Sequence, residues 1–318
     1  MSAGAGARVW AVLAMWNAAE RLPATLGALR ELEGELALVA IDNASRDASV
    51  DRCRELVPAA HVVCNPVNRG FAAAANQGIE HALAEGATHV ALLNDDMRLD
   101  RRWLAELLAE SARDPTVGIL GGLILFADRP DTVNSTGLVV DRLWRVRDRH
   151  IGEPRRALGA LAACDVAGVS GGAMLITRET LEAVGRLDET LFAFYEDFDL
   201  CVRARRAGIR SRFVPRAVSW HQFAASTGTR SPLRLRLLAR NHLTIIGRYA
   251  APWLAAELIG AIALYRATVR ALLWTASGDP AMAAAEIQGA ASGLRRGLAE
   301  LGRRTRGRGR REPDWRPG

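Results

Sequence analysis

The 318-residue sequence has no lysine, and cysteines and aromatic residues are sparse. All 42 basic residues are arginines, which we attribute to coding bias. The four cysteines have no CxxC spacing and no histidines at zinc-finger distances; they are Cys53, Cys64, Cys164 and Cys201. Residues 1–7 lack the charged and apolar regions of a signal peptide. We therefore expect reduced thiols, no zinc finger and a cytoplasmic protein.

The sequence also lacks an uninterrupted apolar run of about 18 residues, the length that suggests a membrane-spanning helix. Its most apolar region, 251–277, is interrupted by Glu257, Arg266 and Arg270, so we predict no span there. Large apolar residues recur at helical spacing and predict one apolar stripe. They are Leu254, Leu258, Ile262, Tyr265, Val269 and Leu273. A second helix is predicted at 282–301.

Little of the formal charge of +7 belongs to the body of the chain. Residues 302–318 hold seven arginines against Glu312 and Asp314, a net of +5. A basic tail on a nearly neutral body, without interleaved basic and aromatic residues, argues against a nucleic-acid partner. The stripe and the tail predict peripheral contact with an anionic membrane. The alternative is that these helices pack on the catalytic domain.

The first 125 residues alternate short β-rich runs with helical patterns, which is typical of an α/β fold with a mostly parallel sheet. Strands are predicted at 9–14, 36–41, 61–64, 89–93 and 117–120, and helices at 22–31, 49–56, 72–85 and 101–113. Residues 126–165 are charged and irregular. Further on, we predict strands at 173–177 and 211–214 and helices at 179–184 and 196–207.

Polar residues follow several of these strands, at the sheet edge where open α/β folds bind ligands. Asp42 and Asp47 suit hydrogen bonding to a nucleoside, but they are also typical of a helix N-terminus. The segment from Asn68 to Phe71 opens the next helix and by itself indicates only a loop. Asp95 and the adjacent Asp96 repel each other unless a cation such as Mg²⁺ or Mn²⁺ intervenes; a solvated turn is the alternative.

A second acidic cluster places Glu196, Asp197 and Asp199 among aromatic residues at a helix start. Aromatic surroundings raise the proton affinity of a carboxylate, as a general base requires, although acids at a helix start also act as simple caps. Asp199 and Arg203 have the spacing of an ordinary ion pair on a helix. His221 follows a predicted strand, and a lone histidine is more often structural than a metal ligand.

Five ordered segments together resemble family 2 glycosyltransferases of the GT-A fold, in particular a rhamnosyltransferase-like branch. They are IDNASRD, NRGFAAAANQGI, LLNDD, the long segment from GGAMLI through FYEDFDL to RRAG, and HQFAAST. The resemblance spans about residues 9–247. It implies a GT-A-like α/β domain over 8–247, a helical extension over 248–301 and a disordered tail over 302–318.

The resemblance also implies roles for individual residues. Asp197 is the expected catalytic base with Glu196 beside it, and Asp96 and His221 are the expected metal ligands for Mg²⁺ or Mn²⁺. The nucleotide-sugar donor would be bound by residues after the strands. These are Asn17, Asp42, Asn43, Asp47, Asn68, Gly70, Phe71, Asn76, Asn94 and Asp95.

Two positions depart from the pattern of this branch. Asp95 stands where proline is common, which leaves open whether one or both acids meet the metal. The usual Asn-Tyr-Asn of the first strand appears as Met15-Trp16-Asn17, which weakens the first nucleoside contact.

The implied reaction is inverting transfer of a sugar, with L-rhamnose from dTDP-rhamnose as the leading donor, to a glycolipid or cell-surface polysaccharide. A nucleotidyltransferase is one alternative, but the first strand has no basic glycine-rich phosphate loop. A non-catalytic binding module of the same fold is the other.

Overall fold

The computed structural model describes residues 6–222 and 230–306, which divide into two compact units. The first consists of Met1–Val139, Arg147–Phe192 and Glu196–Ser226, and the second of Val140–Val146, Ala193–Tyr195 and Thr227–Gly318.

The first unit is built on a ten-stranded sheet with the order β10-β12-β6-β11-β4-β1-β2-β3, in which β5 also pairs with β12 and β7 with β6. Strands β1, β2, β3 and β4 are mutually parallel neighbours. Its ten strands are β1 Val9–Met15, β2 Leu36–Asp42, β3 His61–Cys64, β4 His89–Asn94, β5 Met97–Leu99, β6 Val117–Phe126, β7 Val133–Ser135, β10 Cys164–Val166, β11 Ala173–Thr177 and β12 Arg210–His221. The remaining two strands, β8 Leu138–Val140 and β9 Val146–Asp148, form a separate two-stranded sheet.

Helices cover both faces of this sheet. They are α1 Leu22–Arg30, α2 Ser49–Leu56, α3 Phe71–Ala84, α4 Trp103–Arg113, α5 Arg178–Val184 and α6 Glu196–Arg206. Successive side chains of a strand point to opposite faces, so a strand covered on both sides must be apolar throughout. In β1, Leu13 joins the core with α1 and α4, whereas Val12 joins the core with α3. This two-sided burial explains the continuous apolar runs in the sequence.

The predicted strands and helices of the first 113 residues are confirmed to within two residues at each end, and β11 as predicted. Two strands are longer than predicted. In β6 glycines interrupt the apolar pattern, and in β12 Pro215 resembles a strand end, so the sequence pattern stops before the strand does. The register of β12 against β6 shifts between Val214 and Val218, and such a bulge accommodates a proline inside a strand. The region 126–165, predicted to be irregular, contains four short strands.

The second unit contains α7 Pro232–Tyr249, α8 Pro252–Tyr265, a π-helical turn Arg266–Arg270, α9 Ala271–Ala276 and α10 Pro280–Arg306. No sequence pattern predicted helix α7, which groups with the C-terminal helices in the second unit. Gly302–Arg306, predicted to be disordered, are helical, which corrects the start of the tail. Residues 307–318 and 223–227, the end of HQFAAST, lie outside the described residues.

Helix α10 approaches α7 closely along one row of glycines. A Cβ atom on Gly293 would lie 3.0 Å from Arg240 Cα, and one on Gly297 would lie 2.5 Å from the carbonyl oxygen of Leu243. Any larger side chain at these positions would push the helices apart. This close approach explains why α7 belongs to the C-terminal unit.

The helical run Pro252–Ala276 is long and apolar enough to cross a membrane by length and composition, and little of it is buried. Its small residues Ala255, Ala263 and Ala271 are buried, whereas Leu264 and Leu272 are exposed. Arg266 and Arg270 both pair with Glu286 of α10, which is fully buried. The run therefore turns Arg266 and Arg270 towards Glu286 and exposes Leu264 and Leu272, and it also exposes Glu257.

We expect Glu286→Gln to lower the free energy of unfolding by about 3 kcal/mol, because Arg266 and Arg270 would lose the charge that compensates them. Denaturant unfolding of the variant measures this loss. Glu55→Gln is the control, since the Arg52–Glu55 pair is exposed and such pairs contribute less than about 1 kcal/mol. Equal stability of the two variants would contradict the structural importance of this ion pair.

Candidate functional site

The predicted donor-binding residues gather at the carboxyl ends of β1, β2 and β4, because parallel neighbours end at one sheet edge. Asp42 ends β2 and is 4% exposed. Its Oδ2 atom accepts a hydrogen bond from the backbone of Ser45 at 3.1 Å, and its buried Oδ1 atom has no hydrogen-bond partner among the described residues. Since buried polar atoms are normally paired, Oδ1 is suited to a ligand donor.

Asn43 lies beside Asp42, but its side chain is occupied by the protein. Its amide nitrogen donates to Asn68 Oδ1 at 3.0 Å and to the carbonyl oxygen of Gly70 at 3.1 Å. Its Oδ1 atom accepts from the backbone of Arg69 at 2.9 Å. Asn43 therefore holds the loop before α3 and shapes the site indirectly.

Gly70 makes a close crossing possible between this loop and the segment before α6. Its φ angle is +86°, and a Cβ atom there would lie 2.6 Å from the ring of Phe192. The amide of Ala72 also donates to the carbonyl oxygen of Phe192 at 3.0 Å. Only glycine combines this backbone conformation with so little space.

Asn76 and Phe71, both predicted to line the donor pocket, have structural partners. The Asn76 amide donates to the carbonyl oxygen of Leu187 at 2.9 Å and to Glu189 at 3.0 Å, and its oxygen accepts from the backbone of Leu187 at 3.0 Å. Phe71 packs against the core between the sheet and α3. Asn76 therefore fixes α3 to residues 187–189, and Phe71 fixes the start of α3 to the core.

Asp47 and Asn17 join the loops after β1 and β2. Asp47 accepts hydrogen bonds from the backbone of Ala19 at 3.0 Å and from the backbone and hydroxyl of Ser49. Partial burial opposes the charge of Asp47, but these hydrogen bonds prevail and lower its pKa. Asn17 accepts from the backbone of Arg46 at 2.8 Å. Asp47 thus lies just before the N-cap residue Ala48 and holds the start of α2 through Ser49.

Asp95 is 6% exposed and faces the protein. Its carboxylate accepts from Arg21 Nη2 at 3.1 Å and from the backbone of Trp16 at 3.2 Å. Burial raises the pKa of Asp95, Arg21 opposes this shift, and the negative charge of Asp96 adds to it. Position 95 is commonly proline in the rhamnosyltransferase-like branch, and a buried acid at this position requires a compensating charge. The ion pair with Arg21 supplies that charge.

Asp96 points elsewhere and meets His221 at the end of β12. The two residues are brought together because β12 pairs with β5, which begins immediately after Asp96. Asp96 Oδ1 is buried, has no hydrogen-bond partner among the described residues and lies 3.2 Å from His221 Nε2. A carboxylate oxygen and an imidazole nitrogen this close together are the residues here that would hold a divalent cation.

Asp197 lies at the same edge through a chain of contacts. Its Oδ2 atom accepts a hydrogen bond from the backbone of Gly171 at 2.9 Å. The next residue, Gly172, accepts through its carbonyl oxygen from the backbone of Asn94 at 3.0 Å, and Asn94 is half-buried at the end of β4. Asp197 Oδ1 also accepts from the backbone of Phe198 at 2.7 Å. Two backbone donors hold the carboxylate in one orientation.

Glu196, adjacent to Asp197, is 6% exposed, and its Oε2 atom has no hydrogen-bond partner among the described residues. Burial and the charge of Asp197 raise the pKa of Glu196, and burial also raises the pKa of Asp197 against its backbone hydrogen bonds. The pair therefore holds a proton at higher pH than free carboxyl groups. Proton affinity of this kind suits acid-base chemistry.

The backbone before these acids is strained. Phe192, Phe194 and Tyr195 have φ angles of 67°, 69° and 74°, a region that residues with side chains rarely occupy. Such conformations cluster at functional sites.

The sequence analysis missed a third carboxyl group, Asp148 on β9. Its pKa is raised to about 6, because burial disfavours the charge and Asp197 adds repulsion, against a hydrogen bond from Ser135 and the proximity of His221. Asp148 therefore lies within electrostatic reach of both residues. It belongs to the region predicted to be irregular, and no motif marked it.

Solved structures resemble this chain at the level of the fold. A structure of GalNAc-T7 with UDP, GalNAc and Mn²⁺ has a TM-score of 0.59 at 16% identity, covering 76% of this chain and 48% of that one. The mannosyltransferase PcManGT of Pyrobaculum calidifontis, in complex with GDP-Man and Mn²⁺, has a TM-score of 0.54 at 19% identity. The match covers 90% of this chain and 87% of that one. These likenesses confirm the predicted GT-A fold.

Curated relatives include two rhamnosyltransferases. The dTDP-rhamnosyl transferase RfbF of Shigella flexneri is 25% identical over 56% of this chain and 57% of its own length. The N-acetylglucosaminyl-diphospho-decaprenol L-rhamnosyltransferase of Mycobacterium tuberculosis is 28% identical over 62% of this chain and 69% of its own length. An uncharacterised protein of Sinorhizobium fredii, y4gI, matches over 22% of its length, so the chain spans only part of several relatives. The family model described as glycosyltransferase like family 2 matches residues 7–242, and the chain belongs to this family.

Proposed function

We propose that this protein is a metal-dependent, inverting glycosyltransferase that binds a nucleotide-sugar donor at the edge formed by β1, β2 and β4. The observation that carries the proposal is the pair of Asp96 Oδ1 and His221 Nε2, 3.2 Å apart, on the same edge as Asp197. Family membership favours this reaction over nucleotidyl transfer and over a non-catalytic module.

The residues present fit a divalent cation. Asp96 supplies a buried carboxylate oxygen that lacks a hydrogen-bond donor, and His221 supplies a ring nitrogen next to it. No group of three His, Cys, Asp or Glu suited to a metal occurs in the described ranges, so diphosphate oxygens and water would complete the coordination. The imidazole favours Mn²⁺ over Mg²⁺. The bound ion would neutralise negative charge on the leaving diphosphate.

Asp197 is the proposed general base. The amides of Gly171 and Phe198 orient its carboxylate, each oxygen retains a further lone pair, and the acceptor hydroxyl donates its proton there. Attack on the face of the sugar opposite the diphosphate inverts the anomeric carbon. Asp42 would accept a hydrogen bond from the nucleoside through Oδ1.

The names of the relatives suggest the substrates. Two relatives are named as L-rhamnosyl or dTDP-rhamnosyl transferases, so we propose dTDP-L-rhamnose as donor. One relative is named for a diphospho-decaprenol substrate, which supports a glycolipid acceptor or a growing cell-surface polysaccharide.

A panel of dTDP-, UDP- and GDP-sugars in the presence of Mn²⁺ tests the donor proposal. A ligand that binds the folded state alone raises the melting temperature, by an amount equivalent to about 2.7 kcal/mol at 100 times its Kd. We expect dTDP-rhamnose to give the largest shift. A larger shift with another sugar would reassign the donor, and no shift with any would contradict the function.

We also propose that the catalytic unit works in the cytoplasm and that the C-terminal unit attaches to an anionic membrane through the run Pro252–Ala276. Its outward residues Trp253, Leu264 and Leu272 are 74%, 65% and 68% exposed. Because Arg266 and Arg270 pair with buried Glu286, they do not charge this face. Large exposed apolar side chains are suited to the acyl boundary of a lipid leaflet, although the run also exposes Glu257.

We expect Leu272→Gln combined with Leu273→Gln to weaken sedimentation of the protein with anionic vesicles, because two apolar side chains would leave the lipid. Ile151→Gln, an exposed apolar residue of the first unit, is the control. Deletion of 307–318 removes four of the seven arginines of the tail and leaves Arg304, which caps α7 by donating to the carbonyl oxygens of Gly247 and Ala250. That deletion should weaken binding chiefly at low salt. Unchanged binding of both variants would contradict membrane attachment.

A further inference from the structure

Asn134, which no motif marks, contacts the proposed metal ligand His221. It lies in β7, and its Oδ1 atom is 3.0 Å from His221 Nδ1. Asn134 is 3% exposed, and its amide nitrogen has no hydrogen-bond partner among the described residues. Because buried polar atoms are normally hydrogen-bonded, the contact of Oδ1 with the imidazole is the interaction that accounts for the position of this side chain.

The backbone aims Asn134 at the histidine. Strand β7 pairs with β6 so that Ser135 lies opposite Ile124 and Val133 opposite Leu125, with a register shift between the two pairs. Asn134 is therefore the extra residue of a β-bulge. Bulges redirect a side chain out of the regular alternation and are frequent beside active sites.

His221 is fixed from its backbone as well. It pairs with Phe126 of β6 and Met97 of β5, and its carbonyl oxygen accepts from the backbone of Ala127 at 2.9 Å. Both Asn134 and His221 are thus attached to β6, through β7 and β12 respectively. The sheet sets the distance between the amide and the imidazole.

The two nitrogens of His221 have different surroundings. Nδ1 faces a carbonyl-type acceptor, which favours a proton on that nitrogen. Nε2 faces Asp96 Oδ1, which receives no hydrogen bond from any described residue although the two atoms are 3.2 Å apart. A neutral imidazole with its proton on Nδ1 presents a lone pair at Nε2, beside the carboxylate oxygen.

We infer that Asn134 is a positioning residue that holds His221 in the Nδ1-protonated tautomer, so that Nε2 and Asp96 together bind the divalent cation. This inference rests on the proposed function. Metal-bound histidines generally donate their second N–H group to an oxygen acceptor, and loss of that acceptor lowers metal affinity by about 10- to 100-fold.

Mn²⁺ titration of the metal-free protein, followed by the electron paramagnetic resonance of unbound Mn²⁺, provides the first test. We expect Asn134→Ala to weaken Mn²⁺ binding by about 10- to 100-fold. Asn134→Asp keeps an oxygen acceptor and removes the N–H donor, so it should bind Mn²⁺ at least as tightly as wild type. If Asn134→Asp is as weak as Asn134→Ala at matched thermal stability, the acceptor role is refuted.

Ring-¹⁵N histidine spectra with saturating Mg²⁺ provide a second readout, which general loosening of β7 would not reproduce. The His221 signals are assigned by their loss in His221→Gln. We expect protonated Nδ1 and unprotonated Nε2 in wild type and Asn134→Asp, and mixed tautomers in Asn134→Ala. A wild-type spectrum with the proton on Nε2 would overturn the inference.

His221→Gln separates this inference from the proposed function. Weaker Mn²⁺ binding in His221→Gln with unchanged binding in Asn134→Ala would refute the role of Asn134 alone. Unchanged Mn²⁺ binding in His221→Gln would refute the metal site itself and the inference with it.

Discussion

Asp197→Asn is expected to reduce sugar transfer by about 10²- to 10⁴-fold, the usual contribution of a positioned acid-base group. The amide keeps the shape of the carboxylate and its place beside Gly171, but it is not basic enough to take the proton of the attacking hydroxyl group. Donor affinity should stay near that of wild type, because Asp197 is not among the proposed donor ligands. Transfer kinetics and calorimetric donor titration measure the two effects separately.

Glu196→Gln and Asp148→Asn are the matched controls, since each removes one neighbouring carboxyl group. Their loss of activity should be smaller than that of Asp197→Asn. Because burial raises the pKa of Asp197, wild-type transfer should fall as the pH drops through that pKa, where the base becomes protonated. Near-wild-type activity of Asp197→Asn, or a larger loss in Glu196→Gln, would assign the base elsewhere.

Asp96→Ala is expected to remove most of the metal-dependent affinity for the nucleotide sugar. Its buried carboxylate is the proposed charged ligand that draws the cation, and through it the diphosphate, to this edge. Donor titrations with Mn²⁺ and with EDTA measure the metal-dependent part. Circular dichroism checks that the variant remains folded.

Asp95→Asn is the matched control for Asp96→Ala, because both carboxylates are buried and adjacent. Asp95 binds Arg21 and the backbone of Trp16, so its loss should lower stability while metal-dependent donor binding remains. Equal loss of donor binding in the two variants would show that both acids meet the metal. Unchanged metal dependence in Asp96→Ala would remove Asp96 from the metal site.

Apolar periodicity predicted the α/β core well, because strands buried on both faces and amphipathic helices leave distinct patterns. It failed where tertiary contacts override local pattern. Pro215 indicated the end of a strand, but a bulge carries β12 on to His221. Helix α7 carries many arginines, and its glycine-mediated packing against α10 is a long-range contact that no local pattern reveals.

The apolar stripe on 252–276 was predicted from residue spacing alone, and spacing does not tell whether the stripe faces the protein or the solvent. The alanines between the large residues face the protein, and Tyr265, Val269 and Leu273 of the predicted stripe are exposed. Glu257, Arg266 and Arg270 argued against an apolar face in the sequence. Two of them are neutralised by Glu286, which lies 16 or more residues away along the chain.

The motifs identified the acids and the histidine of the site but not how each is used. Asp95 and Asp96 are adjacent acids in the sequence, and in the folded chain Arg21 pairs with Asp95 whereas His221 lies beside Asp96. Asn43, Asn68 and Asn76 belong to motifs, yet their amides mainly connect loops. Asp148 and Asn134 lie in short strands without a motif, so only the folded chain brings them to His221.

Calorimetric titration with dTDP-rhamnose and the other nucleotide sugars of the panel, with Mn²⁺ and again with excess EDTA, tests the central claim most directly. The geometry of Asp96 and His221 predicts that one donor binds with Mn²⁺, that EDTA abolishes this binding and that added Mn²⁺ restores it. Binding of equal strength in Mn²⁺ and EDTA, or no binding of any nucleotide sugar with Mn²⁺, would contradict a metal-dependent glycosyltransferase.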